Sequence, residues 1–319
     1  MDSALRLLHT SGVLRLAQWV NRHGLRILMY HRFPEAQNLE AHCRILRDHY
    51  RPLSMGAAAD LLKSREPFPP NSVVVTVDDG HRDFFEIAYP VFSSYQIPVT
   101  VYLVTDFLDR RLWLWPDRVR HAFEHTGVPQ VRFDPGDGRK LEFDLGTEAH
   151  RQHAARETVE ALKMVSNEHR LAALGCLPNW LQVQIPDEPP RACEPLTWDE
   201  VRVMARRGIE FGAHTRSHPI LSRVSTSEEL AAEITGSKQR IEEVIGSPVR
   251  HFCYPNGLRR DIGSAAVEAV RLAGFETAVT TVPGVNANSD DALLLRRVAI
   301  DPRYEDYYFE RRVSGFHVK

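Results

Sequence analysis

Short apolar segments alternate with helical segments along most of this chain, and that alternation is the feature that most constrains its fold. A first strand is predicted over 26–30, helices over 39–50 and 55–63, and a further strand over 73–77. Such alternation is typical of a mostly parallel sheet covered by helices. The later apolar segments bring the count to seven or eight strands around one core, so the sequence predicts an α/β fold.

The regular pattern breaks over about 108–195. Two segments of alternating polarity, 131–133 and 141–145, flank a glycine-containing turn, which indicates a hairpin. Helices are predicted over 147–163 and 167–174. We interpret this part as an insertion between barrel elements, which forms either a lid or polymer-binding wall, or structural filling.

Two carboxylates follow the apolar strand at 73–77. Asp78 and Asp79 are adjacent and precede Gly80. Because side chains alternate along a strand, the two carboxylates point in different directions and can take different roles. One can hold a metal while the other acts as a base, although the same residues also fit an ordinary strand followed by an Asp-Gly turn.

Two histidines follow another apolar segment, 209–213. His214 and His218 are four residues apart, and two imidazoles with this spacing can reach one ion. A carboxylate completes a three-ligand site that leaves a position open for water. The histidine pair and the aspartate pair each end a predicted strand, which favours a metal site over surface histidines.

These segments resemble three motifs of the polysaccharide deacetylase family, also called the NodB-homology family or carbohydrate esterase family 4. Residues 76–80 resemble its Thr-Phe-Asp-Asp-Gly motif, 214–218 its His-Ser/Thr-x-x-His motif, and 250–255 its Arg-x-x-x-x-Pro motif. They occur in the family's order, and the resemblance covers roughly 26–301 apart from the long middle segment. It implies a distorted (β/α) barrel of seven or eight strands, formed by 26–319, with a mixed helical and hairpin insertion.

The resemblance also implies a role for each site residue. Three ligands would hold one divalent metal, zinc first and cobalt, nickel, iron or manganese as alternatives: Asp79, His214 and His218. Asp78 would be the general base, and Arg250 near it would lower its pKa and fix its position. The backbone N–H of Tyr254 would join the metal in stabilising the oxyanion.

The sequence departs from ordinary members of the family at the residue expected to be the general acid. Those carry a Leu-x-His motif near the C-terminal end, and the matching segment 293–298 contains no histidine. In the family branch that deacetylates poly-N-acetylglucosamine, the motif order is permuted and a Tyr-His at the end of the first strand supplies the acid. Tyr30-His31 is similar, so His31 is expected to protonate the leaving nitrogen. His81 and His251 are weaker candidates.

Residues 1–25 are predicted to form an amphipathic helix that either packs on the barrel or rests on a membrane surface. Polar residues interrupt this segment, so the pattern does not predict a signal peptide. We expect a cytoplasmic enzyme, with association with a membrane surface as the alternative. A formal charge of −2 argues against a nucleic-acid partner. The oligomeric state is not indicated.

The predicted function is metal-dependent removal of N-acetyl groups from an amino-sugar saccharide or a lipid-linked glycan. An O-acetyl esterase, and a glycan-binding relative with weakened catalysis, remain as alternatives. A two-metal phosphohydrolase would need further carboxylates beside the histidine pair. Two adjacent aspartates at the end of a parallel-sheet strand do not suit the iron site of a non-haem iron oxygenase.

Overall fold

The computed structural model describes residues 13–316, and the strands within that range are labelled β1 to β10 in chain order. They are Arg26–Tyr30, Arg51–Pro52, Ser72–Val77, Val99–Leu103, Gln130–Phe133, Leu141–Asp144, Glu210–Ala213, His251–Cys253, Thr277–Pro283 and Leu295–Ala299.

The α-helices within the same range are labelled α1 to α13. They are Val13–Val20, Gln37–His49, Met55–Ser64, Tyr89–Ser94, Thr105–Leu108, Trp115–His125, Glu148–Leu162, Asn167–Leu181, Trp198–Ala205, Ser227–Ile245, Arg259–Ile262, Ser264–Leu272 and Asp306–Val313. A π-helical turn, Phe84–Ala88, leads into α4, and single 3₁₀ turns lie at Arg191–Cys193 and Leu221–Arg223.

Seven strands close into a parallel barrel. Their order is β1, β10, β9, β8, β7, β4 and β3, and β3 pairs back to β1 with Leu28 opposite Val75. The short strand β2 pairs in parallel with the amino end of β3, at Ser72 and Val73. The predicted (β/α) barrel is therefore confirmed, and the carboxyl ends of all seven strands meet at one end of it.

The apolar strands are buried on both faces, as parallel strands in a covered barrel must be. Every residue of β1 and β3 is buried. Val73, Val75 and Val77 pack in the larger core under the helices, whereas Val74 packs with Ile27 in a smaller, separate cluster. This two-residue alternation decides which side chains at the end of a strand point into the mouth of the barrel.

The segment between β4 and β7 forms the predicted insertion of helices and a hairpin. Strands β5 and β6 pair antiparallel with Val131 opposite Phe143, and α6, α7 and α8 pack around them. The insertion buries its own apolar core, which includes Phe123, Leu162 and Leu177. It therefore has packing that does not depend on the barrel.

The predicted N-terminal helix is described only in part, because 1–12 lie outside the described residues. Helix α1 buries Leu14 and leaves Leu16, Trp19 and Val20 exposed. No helix within 13–316 is both long and apolar enough to cross a membrane. All four cysteines are free thiols.

Candidate active site

The predicted metal ligands, Asp78 and His31 meet at the carboxyl end of the barrel, where α/β barrels place their chemistry. Loops after β1, β3, β7 and β8 line a cavity of about 240 Å³ there. Their contributions to its wall are His31, Asp78, Asp79, His214, His218, Tyr254 and Asn256.

The backbone of these loops is unusual. Asp79, Thr215, His218 and Asn256 adopt left-handed conformations, with φ of 77°, 67°, 57° and 59°. Such conformations cost free energy for residues other than glycine and persist where the surrounding structure enforces them. Their concentration around one cavity points to a functional site.

The predicted metal ligands face one another. Asp79 Oδ1 lies 3.5 Å from His214 Nε2 and 3.6 Å from His218 Nε2. One ligand atom from each of the three lies within 4.8 Å of the other two. A carboxylate with two imidazoles is the donor set of many catalytic zinc sites, so these residues fit a divalent metal.

The two histidines are oriented in different ways. His214 Nδ1 donates to the main-chain carbonyl of Cys253 at 2.7 Å, which directs Nε2 towards Asp79, as is usual for metal-binding histidines. Burial, together with the charge of His214, lowers the pKa of His218 to about 3. The His218 imidazole is therefore neutral near pH 7 and can offer a lone pair.

Asp79 is ionised despite its burial. Burial by itself raises the pKa of this carboxyl, but the hydrogen bond with His214 and the nearby His218 bring the pKa well below its usual value. A second trio, Asp78 with His214 and Cys253, also lies close enough to share an ion. It fits less well, because both oxygens of Asp78 are already engaged.

The partner of Asp78 is Arg297 in β10. Arg297 Nη1 and Nη2 each donate to one carboxylate oxygen of Asp78 at 2.7 Å, and both residues are buried. Burial raises the pKa of Asp78, and the charge and hydrogen bonds of Arg297 outweigh it, so the pKa lies below its usual value. This two-point pair keeps the carboxylate charged and fixes its plane.

The predicted contact between Arg250 and Asp78 is wrong. Arg250 instead pairs with Asp60 and Glu276, the latter at 2.7 Å. It immediately precedes β8, so it lies at the amino end of a parallel strand, opposite the end that carries Asp78. The available signal for Arg297 was a charged residue in the middle of an apolar strand, which must be paired when it is buried.

The expected oxyanion donor is also wrong. The N–H of Tyr254 donates to the carbonyl of Val279 at 3.1 Å, because Tyr254 continues the ladder between β8 and β9. Its hydroxyl donates to the carbonyl of Leu293 at 3.0 Å. The backbone N–H of Asn256, two residues further, makes no hydrogen bond with any residue of 13–316.

His31 lies beside the base. Its Nε2 is 3.6 Å from Asp78 Oδ2, and its side chain is 46% exposed at the cavity. The weaker candidates are buried elsewhere: His81 Nε2 is 2.9 Å from Asp117 Oδ2, and His251 Nδ1 is 2.8 Å from Thr277 Oγ1. Neither of them lines the cavity, whereas His31 does.

The insertion supplies cavity residues that sequence reasoning missed. The loop before α6, helices α6 and α7, and the residue after α7 contribute Leu114, Pro116, Asp117, Arg120, Val159 and Lys163. These residues belong to no recognisable pattern, and only the docking of the insertion against the barrel brings them to the site.

Comparisons with known proteins agree with this architecture. The polysaccharide deacetylase family model matches residues 140–278, which include both histidines of the site. The Bacillus subtilis protein YxkH, named as a candidate polysaccharide deacetylase, is 21% identical over 87% of this chain and 72% of its own length.

Solved structures of two deacetylases share the fold. The Streptococcus pyogenes deacetylase PplD superposes with a TM-score of 0.60 at 17% identity, covering 92% of this chain and 99% of its own. A de-N-acetylase from Aggregatibacter actinomycetemcomitans superposes with a TM-score of 0.55 at 19% identity, covering 88% and 96%. The family model and the curated relative therefore show a similarity to polysaccharide deacetylases, and the solved structures share the (β/α) barrel of this chain.

Proposed function

We propose that this chain is a metal-dependent deacetylase that removes N-acetyl groups from an amino-sugar saccharide. The observation that carries the proposal is the convergence of Asp79, His214 and His218 on one point, beside a second carboxylate, Asp78, that is held separately by Arg297. The solved structures that share this fold include a deacetylase and a de-N-acetylase, which supports the same reaction.

A divalent metal, most suitably zinc, held by Asp79, His214 and His218 would polarise the acetyl carbonyl and lower the pKa of a bound water. Asp78 takes the proton of the attacking water, because Arg297 keeps its carboxylate ionised and oriented. The unpaired backbone N–H of Asn256 at the cavity donates to the oxyanion that develops on the acetyl oxygen.

His31 supplies the last requirement of amide hydrolysis, a proton for the departing nitrogen. An amine expelled as an anion is a very poor leaving group, so an acid must act before or during cleavage. His31 is the partly exposed histidine of the cavity, next to the base rather than among the metal ligands. It can therefore exchange its proton with solvent between turnovers.

The cavity favours a small acetylated group as the reacting unit. At about 240 Å³ it is smaller than the cavities that enclose drug-sized ligands, and it suits one sugar unit with its acetyl substituent. An O-acetylated sugar has a similar size. The presence of an acid beside the base favours the amide, since an ester oxygen leaves more easily without protonation.

Helix α1 is the proposed place of membrane contact. Leu16, Trp19 and Val20 are exposed on it, and Arg22 lies against the face of the Trp19 ring at 4.3 Å. Exposed apolar and aromatic residues next to arginines suit the interface of an anionic bilayer. Co-sedimentation with anionic vesicles, lost on Trp19→Glu, tests the contact.

Acetate release from matched N-acetylated and O-acetylated saccharides tests the proposed reaction. The metal-free protein would be reloaded with Zn²⁺ or Co²⁺, and Asp78→Asn would serve as the inactive control. We expect metal-dependent acetate release, faster from the N-acetylated member of each pair. Release from the O-acetylated members alone would establish the esterase instead, and saccharide binding without any acetate release would establish a binding protein.

A further inference from the structure

We propose that the insertion between β4 and β7 is a positioning element of the metal centre, which orients His218 through its main-chain carbonyl and supports Asp79 through His81. This inference rests on the proposed metal site. It assigns to the insertion a role that is distinct from covering the substrate, and it involves contacts made by residues outside the three motifs.

The contact to His218 is made by two donors of the insertion. Trp115 Nε1 and Arg170 Nη1 donate to the His218 carbonyl at 3.2 and 3.3 Å. Arg170 also stacks its guanidinium over the Trp115 ring, 5.1 Å from its centroid. Two donors on one carbonyl fix the plane of the peptide, and through it the direction in which the left-handed His218 projects its imidazole.

His218 needs such support because its ring is not held in the usual way. His214 is oriented by the hydrogen bond from its Nδ1 to Cys253, but His218 Nδ1 is buried and has no hydrogen-bond partner within 13–316. Its backbone N–H donates to Thr215 Oγ1 at 3.0 Å. The main chain on both sides of the His218 Cα is therefore what orients this ligand.

Burial of the charged Arg170 side chain at this position costs free energy. Its side chain is 3% exposed, and no carboxylate of the described residues lies within ion-pairing distance. Its guanidinium is held by Asn167 Oδ1 at 2.5 Å and by the His218 carbonyl. The charge of Glu233 acts on Arg170 without forming an ion pair. A buried cation that lacks an ion-pair partner opposes folding, so general packing of the insertion does not account for it.

The insertion reaches Asp79 through the imidazole of His81. His81 Nε2 lies 2.9 Å from Asp117 Oδ2 in α6, and its buried Nδ1, which has no hydrogen-bond partner within 13–316, faces Asp79 Oδ2 at 4.0 Å. Asp79 Oδ1, the other oxygen, is the one that faces His214 and His218. Partners behind a metal ligand hold it in the binding geometry, and their loss typically weakens metal binding about 10- to 100-fold.

The test compares Trp115→Phe with Trp113→Phe. Phenylalanine keeps an aromatic ring at 115 and removes the indole N–H, so folding is preserved as far as possible. Trp113 lies in the same insertion, but its indole N–H donates to the Asp187 carbonyl at 3.0 Å, away from the metal centre. Asp117→Asn tests the second contact. For each protein we would measure Co²⁺ affinity by chelator competition, the visible Co²⁺ spectrum, and the unfolding temperature of the metal-free form.

We expect Co²⁺ to bind about tenfold or more weakly to Trp115→Phe and Asp117→Asn, with an altered visible spectrum, and normally to Trp113→Phe. A purely structural insertion would lower the unfolding temperature of both tryptophan variants and leave Co²⁺ affinity unchanged, which would overturn the inference. Failure of the wild-type protein to bind Co²⁺ would instead overturn the metal site itself, and the inference with it.

Discussion

Replacement of Arg297 by methionine tests the assignment of the partner of Asp78. Both members of this pair are buried, and removal of one member of a buried ion pair typically costs about 3–5 kcal/mol, because the other charge is left uncompensated. Arg250→Met is the matched control, since Arg250 pairs with the partly exposed Asp60 and Glu276. Exposed pairs of that kind are worth about 0–1 kcal/mol each.

The activity of Arg297→Met should change in a predictable direction with pH. Arg297 lowers the pKa of Asp78, so its removal raises that pKa, and a higher pH is then needed to ionise the base. The acidic limb of the kcat/KM profile should move to higher pH in Arg297→Met and stay in place in Arg250→Met. The stabilisation from the Asp78 pair is present above the unfolded carboxyl pKa of about 3.9, and it is lost as pH falls through the lower folded pKa.

Urea unfolding at pH 7, together with pH–rate profiles, provides the assay. If Arg297→Met folds poorly, the double variant Asp78→Asn with Arg297→Met should recover much of the stability, because neither charge is then buried alone, while activity stays low. A shifted acidic limb in Arg250→Met, with an unchanged limb in Arg297→Met, would refute the assignment.

Three further predictions concern the ligands, the base and the acid. His214→Ala or His218→Ala should lose both metal and activity while the fold survives; one equivalent of metal bound with unchanged affinity would contradict the ligand set. Asp78→Asn should keep the metal and lose turnover, whereas Asp79→Asn should weaken the metal, as metal analysis and rates will show; an intact rate in Asp78→Asn would exclude it as the base. His31→Ala should lose roughly 10²–10⁴ in amide hydrolysis and much less on an acyl ester with a phenol leaving group, and equal losses on both would rule out the acid role.

The sequence by itself determined the fold class and the place of the chemistry. The alternation of apolar strands with helices specifies a parallel barrel, and in such a barrel the strands end together. Residues that directly follow strands, such as Asp78, Asp79 and His214, therefore have to meet. That convergence depends only on local periodicity and on direction along the chain, and both can be read without knowing any long-range contact.

Only the tertiary structure decided which partners surround those residues. Arg250 directly precedes an apolar strand, whereas Arg297 lies within one. Only the packing of the barrel shows that Arg297 pairs with Asp78 and Arg250 with Glu276. The N–H of Tyr254 is engaged because β8 pairs with β9, a contact between strands far apart in the chain. The support that Trp115 gives to His218 depends on how the insertion docks. Pairing of this kind is set by three-dimensional packing between distant segments, which no local pattern encodes.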